Sequence, residues 1–198
     1  MKTLIIMRGP SGCGKSSYAS DTWPGCTRCS ADDFFYNKAI DRYEFDPSKL
    51  GQAHQWCLNK VLNAMHEGDE VVVLDNTNIE KWEYENYEFI ADLLGYRVEH
   101  HEFHIDTIED LKFVAQRNIH GVPDAVVALK AMQFEPESGA KIIPLRKMRV
   151  RCMDNTMEPR LVVGKQYDVL SEEDDCWIVV GLCNTPTRVL KRKFEVVE

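Results

Sequence analysis

The chain has 198 residues, of which 44% are hydrophobic and 28% charged, and it carries a net charge of −8. That composition belongs to an ordinary globular protein with room for one mid-sized domain and a small appendage, and it excludes disordered and membrane-spanning classes. The longest aliphatic run, Val71 to Leu74, is far short of the ~18 apolar residues a span needs, and the acidic balance argues against a broad grip on nucleic acid while leaving room for a local basic cleft.

Taken in chain order, Lys2 to Arg8 predicts a short strand that stops at Gly9, and Lys15 to Asp21 predicts the helix after a glycine loop. The apolar run Thr3 to Met7 is too short for a signal peptide, so a cytoplasmic location is expected. The chain turns at Trp23-Pro24-Gly25. Thr27 to Ser30 predicts a second strand ending at Ala31-Asp32-Asp33, and residues 34 to 46, aromatic and charged without periodicity, read as an active-site loop. Seven cysteines without a regular framework fit a reducing compartment. Cys26 and Cys29 have no second pair at zinc-site spacing and are expected as unlinked thiols.

Asp46-Pro47 signals a helix start, and Leu50, Ala53, Cys57, Val61 and Ala64 recur at three-to-four spacing up to Gly68. Glu70 to Leu74 has the continuous apolar character of a parallel strand covered on both faces, ending at Asp75-Asn76-Thr77-Asn78. A helix is expected from Ile79 to Leu94, stopped by Gly95, followed by a strand from Tyr96 to Ile105. The next helix opens at Asp106, with Glu109 three residues on in the manner of a capping box, and a short last helix begins at Pro123. Alternating strands and helices predict a three-layer α/β/α domain over residues 1–137, with a parallel sheet and ligands at the C-terminal strand ends. After Glu135 to Gly139 the pattern changes to short strands: Lys147 to Met153, Gln166 to Leu170, Cys176 to Leu182, Arg188 to Leu190 and Phe194 to Val197. Spacers at Glu172 to Asp175 and Asn184 to Pro186 separate them, which predicts a small all-β barrel domain over residues 145–198.

Gly9-x-x-x-x-Gly14-Lys15-Ser16 matches the P-loop (Walker A) pattern in full. Glycines let successive N–H groups turn inward around a phosphate, and the helix that follows adds its partial positive charge. Gly9, Ser11, Gly12, Cys13, Gly14, Lys15, Ser16 and Ser17 are thus the expected ATP-binding set, with Lys15 on the β- and γ-phosphates and the Ser16 hydroxyl on Mg²⁺. Either Asp32 or Asp33 can accept the proton of an attacking hydroxyl; the alternative is a solvated acidic turn. Asp75 suits a carboxylate that holds Mg²⁺ through water, and Asn76, Thr77 and Asn78 offer hydrogen-bonding groups at the same rim, or simply an Asx-turn. Arg117, at the end of a helix, suits a lid arginine or a favourable helix-terminal cation. Phe34, Phe35, Tyr36 and Tyr43 either stack a base or anchor the loop. His100, Glu102 and His104 share one face of a strand, in type a metal constellation but more simply an exposed or edge face.

The ordered set Gly9 to Ser16, Ser30-Ala31-Asp32-Asp33-Phe34-Phe35, Tyr43-Glu44-Phe45, Ala53-His54, Leu74 to Asn78 and Gln116-Arg117-Asn118-Ile119-His120-Gly121-Val122 resembles the polynucleotide 5′-hydroxyl kinases and related P-loop kinase domains, zeta-toxin-like relatives and those of ubiquitin-ligase-binding, kinase-like proteins among them. The resemblance covers about residues 1 to 135. It implies transfer of the γ-phosphate of ATP, with Mg²⁺, to 5′-hydroxyl ends of RNA or DNA. It places Asp32 on the family's general base and Arg117 on an arginine near the phosphates, with Asp33, Phe35, Asn76, Thr77 and Asn78 on the acceptor side. Phage-type members carry an arginine where this chain has Phe35, whereas the kinase-like branch shares the Asp-Asp-Phe-Phe form. A nucleoside, sugar or other small hydroxyl acceptor is the alternative within this fold, and a weakly catalytic nucleotide-binding interaction protein the alternative outside it. The tail resembles SH3-like barrels, where Lys165, Arg188, Lys191, Arg192 and Lys193 form a strip for a nucleic acid or protein partner, or a solubilising face.

Overall fold

Strand β1 (Thr3–Arg8) is buried from Leu4 to Arg8, so it must be covered on both faces. The structure, a computed structural model, describes residues 2–118, 121–145, 149–156, 161–172, 175–180 and 186–197. After β1 come helix α1 (Lys15–Thr22), strand β2 (Thr27–Cys29), a 3₁₀ turn at Ala31–Phe35, and a small hairpin of β3 (Tyr36–Asn37) with β4 (Arg42–Tyr43). Then follow α2 (Leu50–Glu67), β5 (Val71–Asp75), α3 (Glu85–Leu93), β6 (Arg97–Glu102), α4 (Ile108–Gln116), α5 (Asp124–Met132) and β7 (Lys141–Ile142).

The first sheet has the order β2-β5-β1-β6-β7 and is parallel throughout. Because successive strand residues point to opposite faces, each strand feeds two cores. Leu4, Ile6, Cys29, Val72 and Leu74 meet Ala53, Cys57, Val61 and Ala64 of α2 and Tyr87 and Ala91 of α3. Ile5, Met7 and Val73 meet Ala19 of α1, Phe113 and Val114 of α4, and Val127 of α5. The three-layer expectation is met, and its edge strand β7 lies just beyond residue 137.

Local departures have local causes. The segment expected as one helix from Ile79 to Leu94 starts extended and becomes α3 only at Glu85, because Ile79 N–H donates to Glu83 Oε2 at 2.9 Å and its carbonyl accepts from Glu135 N–H at 3.1 Å. The capping box of α4 sits one residue later than expected: Thr107 Oγ1 accepts Asp110 N–H at 3.0 Å, and Asp110 Oδ2 accepts Thr107 N–H at 3.1 Å. The loop at 34 to 46 contains the β3–β4 hairpin, with Asp41 at φ 50°.

A second sheet is antiparallel, with β8 (Arg149–Cys152), β9 (Gln166–Glu172), β10 (Cys176–Val180), β11 (Pro186–Leu190) and β12 (Phe194–Val197) in the order β11-β10-β9-β8-β12. Its core joins Cys152, Leu161, Tyr167, Val169, Trp177, Val179 and Val189. These strands fall where expected, except that β9 runs on to Glu172 and β11 starts at Pro186, each taking a residue from an expected spacer; positions 147–148 and 181–182 of those expectations, and 173–174 and 184–185 of the spacers, lie outside the described residues. In the expected basic strip, Lys193 pairs with Asp154 at 3.2 Å, while Lys165 and Lys191 lie 5.7 Å and 6.0 Å from the rings of Tyr167 and Trp177. Among the described residues no helix is long and apolar enough to cross a membrane.

At the end of β1, Arg8 pairs with Glu102 of β6, both 0% exposed. Its Nε donates to the Asn78 carbonyl at 3.0 Å, and its Nη2 to the carbonyls of Ile79 at 3.2 Å and Glu135 at 2.5 Å. The Tyr84 ring lies 4.4 Å from the guanidinium carbon and Phe134 lies 5.0 Å away. Glu102 also accepts from Glu137 N–H at 2.8 Å and contacts His104 Nε2 at 2.7 Å. The face carrying His100, Glu102 and His104 is therefore not an edge: β6 runs between β1 and β7, and His100 meets Glu88 at 2.8 Å. Replacing Arg8 by Met leaves Glu102 buried without its cation, and a denaturant titration is expected to show a loss of about 3–5 kcal/mol. The double replacement Arg8→Met/Glu102→Met should lose clearly less, because no uncompensated charge remains.

Candidate nucleotide and acceptor site

The loop between β1 and α1 turns on glycines at positive φ: Gly9 at 146°, Gly12 at 86° and Gly14 at 99°. At Gly12 space is as limiting as conformation, since a Cβ there would lie 2.1 Å from the Val114 carbonyl oxygen of α4. Gly9 N–H donates to the Thr77 carbonyl at 2.8 Å, which ties the loop to the segment after β5. Gly14 caps α1 without a side chain, leaving the first-turn amides of the helix facing the loop. Lys15 is buried, with Nζ 2.8 Å from the Gly9 carbonyl and 2.9 Å from that of Pro10. Cys13 turns its side chain into the core, where burial pushes the thiol pKa up against the pull of Lys15; only its backbone can serve a ligand. Ser16 and Ser17 are exposed and Ser11 half-buried. Such a cradle of amides, a lysine and a hydroxyl suits a polyphosphate.

Asp75 pairs in register with Met7, two residues before the loop, and is 4% exposed. Its Oδ2 accepts from Arg28 Nη1 at 2.8 Å, and the same guanidinium reaches Asp33 Oδ1 at 3.3 Å. Burial works against the charge on Arg28, but Asp75 and Asp33 outweigh it and raise its pKa above the ordinary guanidinium value. Lys60 of α2 meets Asp33 Oδ2 at 3.4 Å. Asp32, exposed on the same turn, accepts from the Tyr43 hydroxyl at 3.1 Å. Burial first, and the Asp32 carboxylate second, push the Tyr43 phenol well above its usual pKa, so it remains a donor. The two adjacent acids thus have different surroundings.

The segment Asn76 to Asn78 is committed to the protein itself. Asn76 Oδ1 accepts Ala31 N–H at 2.8 Å, and its Nδ2 lies 3.6 Å from Cys57 Sγ. Thr77 contributes its carbonyl to Gly9, while Asn78, buried at φ 45°, donates from Nδ2 to the Met7 carbonyl at 2.8 Å. Phe35 is 5% exposed, with its ring centroid 5.4 Å from Phe34, 5.0 Å from Phe45 and 6.2 Å from Tyr43. Of the expected aromatics, Tyr36 is exposed and hydrogen-bonds Asp41, so the others anchor the loop more than they face a ligand. Arg117 ends α4, with its guanidinium 5.1 Å from the Phe113 ring. Since Gly12 abuts Val114 and Asn118, that helix end sits against the loop. Residues 119 and 120 of the expected motif lie outside the described residues. Cys26 and Cys29 are both free thiols, and among the described residues no three His, Cys, Asp or Glu side chains gather as a metal-binding group.

Arg8, Arg28 and Lys60 are not singled out by motif; Tyr43 is, but as a stacking or anchoring ring rather than as the hydroxyl that donates to Asp32. For Arg28 one signal existed: with Cys29 turned to the α2 core, the period of two puts Arg28 on the loop-bearing face.

A family profile described as an AAA domain matches residues 4–136. The chain belongs to that AAA-domain family. Human NEDD4-binding protein 2 is 28% identical over 185 residues, an alignment covering 87% of this chain and 10% of that protein, so the AAA-family chain spans about a tenth of its relative's length. Among solved structures, a chain of the Pnkp1/Rnl/Hen1 RNA repair complex aligns with a TM-score of 0.52 at 16% identity, covering 67% of this chain and 43% of that one. A gluconokinase from Sinorhizobium meliloti aligns with a TM-score of 0.47 at 14% identity, covering 73% and 83%. The AAA-family segment is a P-loop kinase-like α/β domain.

Gly12→Ala and Gly14→Ala separate space from conformation. Both are expected to incur backbone strain of about 1–2 kcal/mol, but a Cβ at Gly14 meets nothing within 4 Å. Gly12→Ala should therefore be less stable than Gly14→Ala by about 1–3 kcal/mol in chemical denaturation, through displacement of α4.

Proposed function

We propose that this chain is an ATP-dependent kinase that phosphorylates the 5′-hydroxyl ends of RNA or DNA. The observation that supports this most is the placement of an exposed carboxylate, Asp32, on the turn after β2, one strand beyond the β1–β5 pair that bears the loop and Asp75. The resemblance of the ordered motifs to polynucleotide kinases supports the acceptor class.

Bound ATP supplies the γ-phosphoryl group, and Mg²⁺ offsets the charge on its oxygens. The amides of Ser11, Gly12, Cys13 and Gly14, with Lys15, Ser16 and Ser17, hold the phosphates, and Gly9 supplies the turn that starts the loop, its own amide engaged by Thr77. Ser16 offers a hydroxyl oxygen and Asp75 a carboxylate, both hard ligands suited to Mg²⁺. Asp32 takes the proton of the acceptor hydroxyl as the new bond from its oxygen to the γ-phosphorus forms and the bond from that phosphorus to the oxygen bridging the β- and γ-phosphates breaks, ADP leaving. Arg117 stabilises the charge on the transferring group, while Asp33, Phe35, Asn76, Thr77 and Asn78 shape the acceptor side, chiefly by holding its backbone. We also infer a cytoplasmic enzyme of two domains, whose C-terminal SH3-like barrel at 145–198 meets a nucleic acid or protein partner.

The buried Phe35, standing where phage-type kinases carry an arginine, favours a second reading in which the acceptor is a nucleoside, sugar or similar small alcohol. Labelled ATP incubated with 5′-hydroxyl RNA and DNA oligonucleotides, beside a panel of small alcohols, separates the two. Label on oligonucleotides is expected; label on small alcohols alone would replace the first reading by the second. Asp32→Asn should lower kcat by about 10²–10⁴-fold with nucleotide affinity unchanged, whereas Lys15→Ala should weaken both.

A further inference from the structure

The two acids of the turn divide their work through one arginine. Arg28, 35% exposed on its side chain, spans from Asp75 Oδ2 at 2.8 Å to Asp33 Oδ1 at 3.3 Å. Asp75 belongs to β5, while Asp33 lies on the 3₁₀ turn Ala31–Phe35 that also carries Asp32. Lys60 closes the other side, 3.4 Å from Asp33 Oδ2 and 3.5 Å from the Arg28 carbonyl. Further polar ties join this turn to its surroundings: Ala31 N–H donates to Asn76 Oδ1, the Tyr43 hydroxyl donates to Asp32, Asp32 N–H donates to Ser30 Oγ, and Glu44 N–H donates to the Phe35 carbonyl at 2.9 Å. A short 3₁₀ turn has poor internal hydrogen bonds. Charged contacts from β2, β5 and α2 therefore add to what the core packing of Ala31 and Phe35 fixes.

We propose that Arg28 is a positioning residue: one guanidinium, shared by Asp33 and Asp75, fixes the acid turn against the end of β5 and thereby presents Asp32 toward the phosphate loop. Asp33 is the anchor in this arrangement and Asp32 the presented acid. Geometry favours arginine over lysine here, because a planar fork can hold two carboxylates at once whereas an ammonium on a flexible stem acts as a point charge. The positioning of the turn stands on the contacts alone; its consequence for catalysis rests on the kinase reading above.

Amide hydrogen exchange on the full chain tests the two separately. In Arg28→Gln, the amides from Asp32 to Phe35 are expected to exchange at least about tenfold faster than in the parent protein, as local opening becomes easier, while those of α4 and of the second sheet keep their rates. Asp33→Asn, which leaves the Arg28–Asp75 pair in place, should loosen the same amides without loosening β5. That variant carries the test even if Arg28→Gln unfolds. Arg28→Lys should fall between the parent and Arg28→Gln, and if the chain phosphorylates its acceptor, Arg28→Gln should lower kcat at unchanged KM for ATP. Unchanged exchange across Asp32 to Phe35 in Asp33→Asn and in folded Arg28→Gln would overturn the proposal whether or not phosphotransfer is seen. Faster exchange in these variants, with a parent protein that phosphorylates nothing, would support the positioning and remove the kinase reading instead.

Discussion

The buried pair of Arg8 and Glu102 sets the geometry on which the rest of the molecule depends. Taking two charges out of water costs several kcal/mol per ion, and a pair inside a protein is tolerable only when its remaining donors and acceptors are met. Here they are met from four directions: the β6 carboxylate, the carbonyls of Asn78 and Ile79, the carbonyl of Glu135, and the Glu137 amide on the far side of Glu102. β6, the segment after β5 and the stretch at Glu135 are thereby joined directly to the residue immediately before Gly9, and Glu137 is joined to it through Glu102. The phosphate loop therefore begins from a point that cannot drift, and the left-handed turn at Asn78 is held from both sides.

From that fixed point the polar groups sort by what they can still offer a ligand. Asp75 and Asp33 are engaged by Arg28 and Lys60, and Asp32 accepts from a phenol that stays protonated. A neutral donor orients a carboxylate without cancelling its charge, which suits the proton-acceptor role proposed for Asp32. Cationic partners do the opposite, trading reactivity for position. The adjacent pair Asp32-Asp33 is thus chemically unequal, although its two members are identical as letters.

That inequality marks the boundary of what could be read from sequence. Strands β1, β5 and β6, helices α1, α2 and α4, and the phosphate loop follow from apolar periodicity and from glycine placement, which are local properties. Arg8 looked like the polar end of a strand, because its partners at Glu102 and Glu135 lie 94 and 127 residues away. Arg28 escaped for the same reason, since its value comes from Asp75, 47 residues later. The helix expected from Ile79 failed where long-range contacts took its first backbone groups. The capping box of α4 slipped by one residue because Asp106 and Thr107 are both good caps and only one hydroxyl reaches Asp110.

Phosphate recognition and acceptor recognition consequently rest on different physical footings. The first is offered by backbone amides of a loop whose glycines are demanded by sterics and whose start is fixed by Arg8. The second is built from side chains on the turn at Ala31–Phe35, the hairpin beyond it, and the end of α4, whose positions are set by contacts distant in sequence. Phe35 shows the consequence. Its ring is spent in the aromatic cluster with Phe34, Tyr43 and Phe45, so it stiffens the turn but brings no charge to the rim. The nearby cations, Arg28 and Lys60, are already balanced by Asp33 and Asp75. On the kinase reading proposed above, an acceptor at this site is selected more by shape and by the direction of its hydroxyl toward Asp32 than by a strong local positive field.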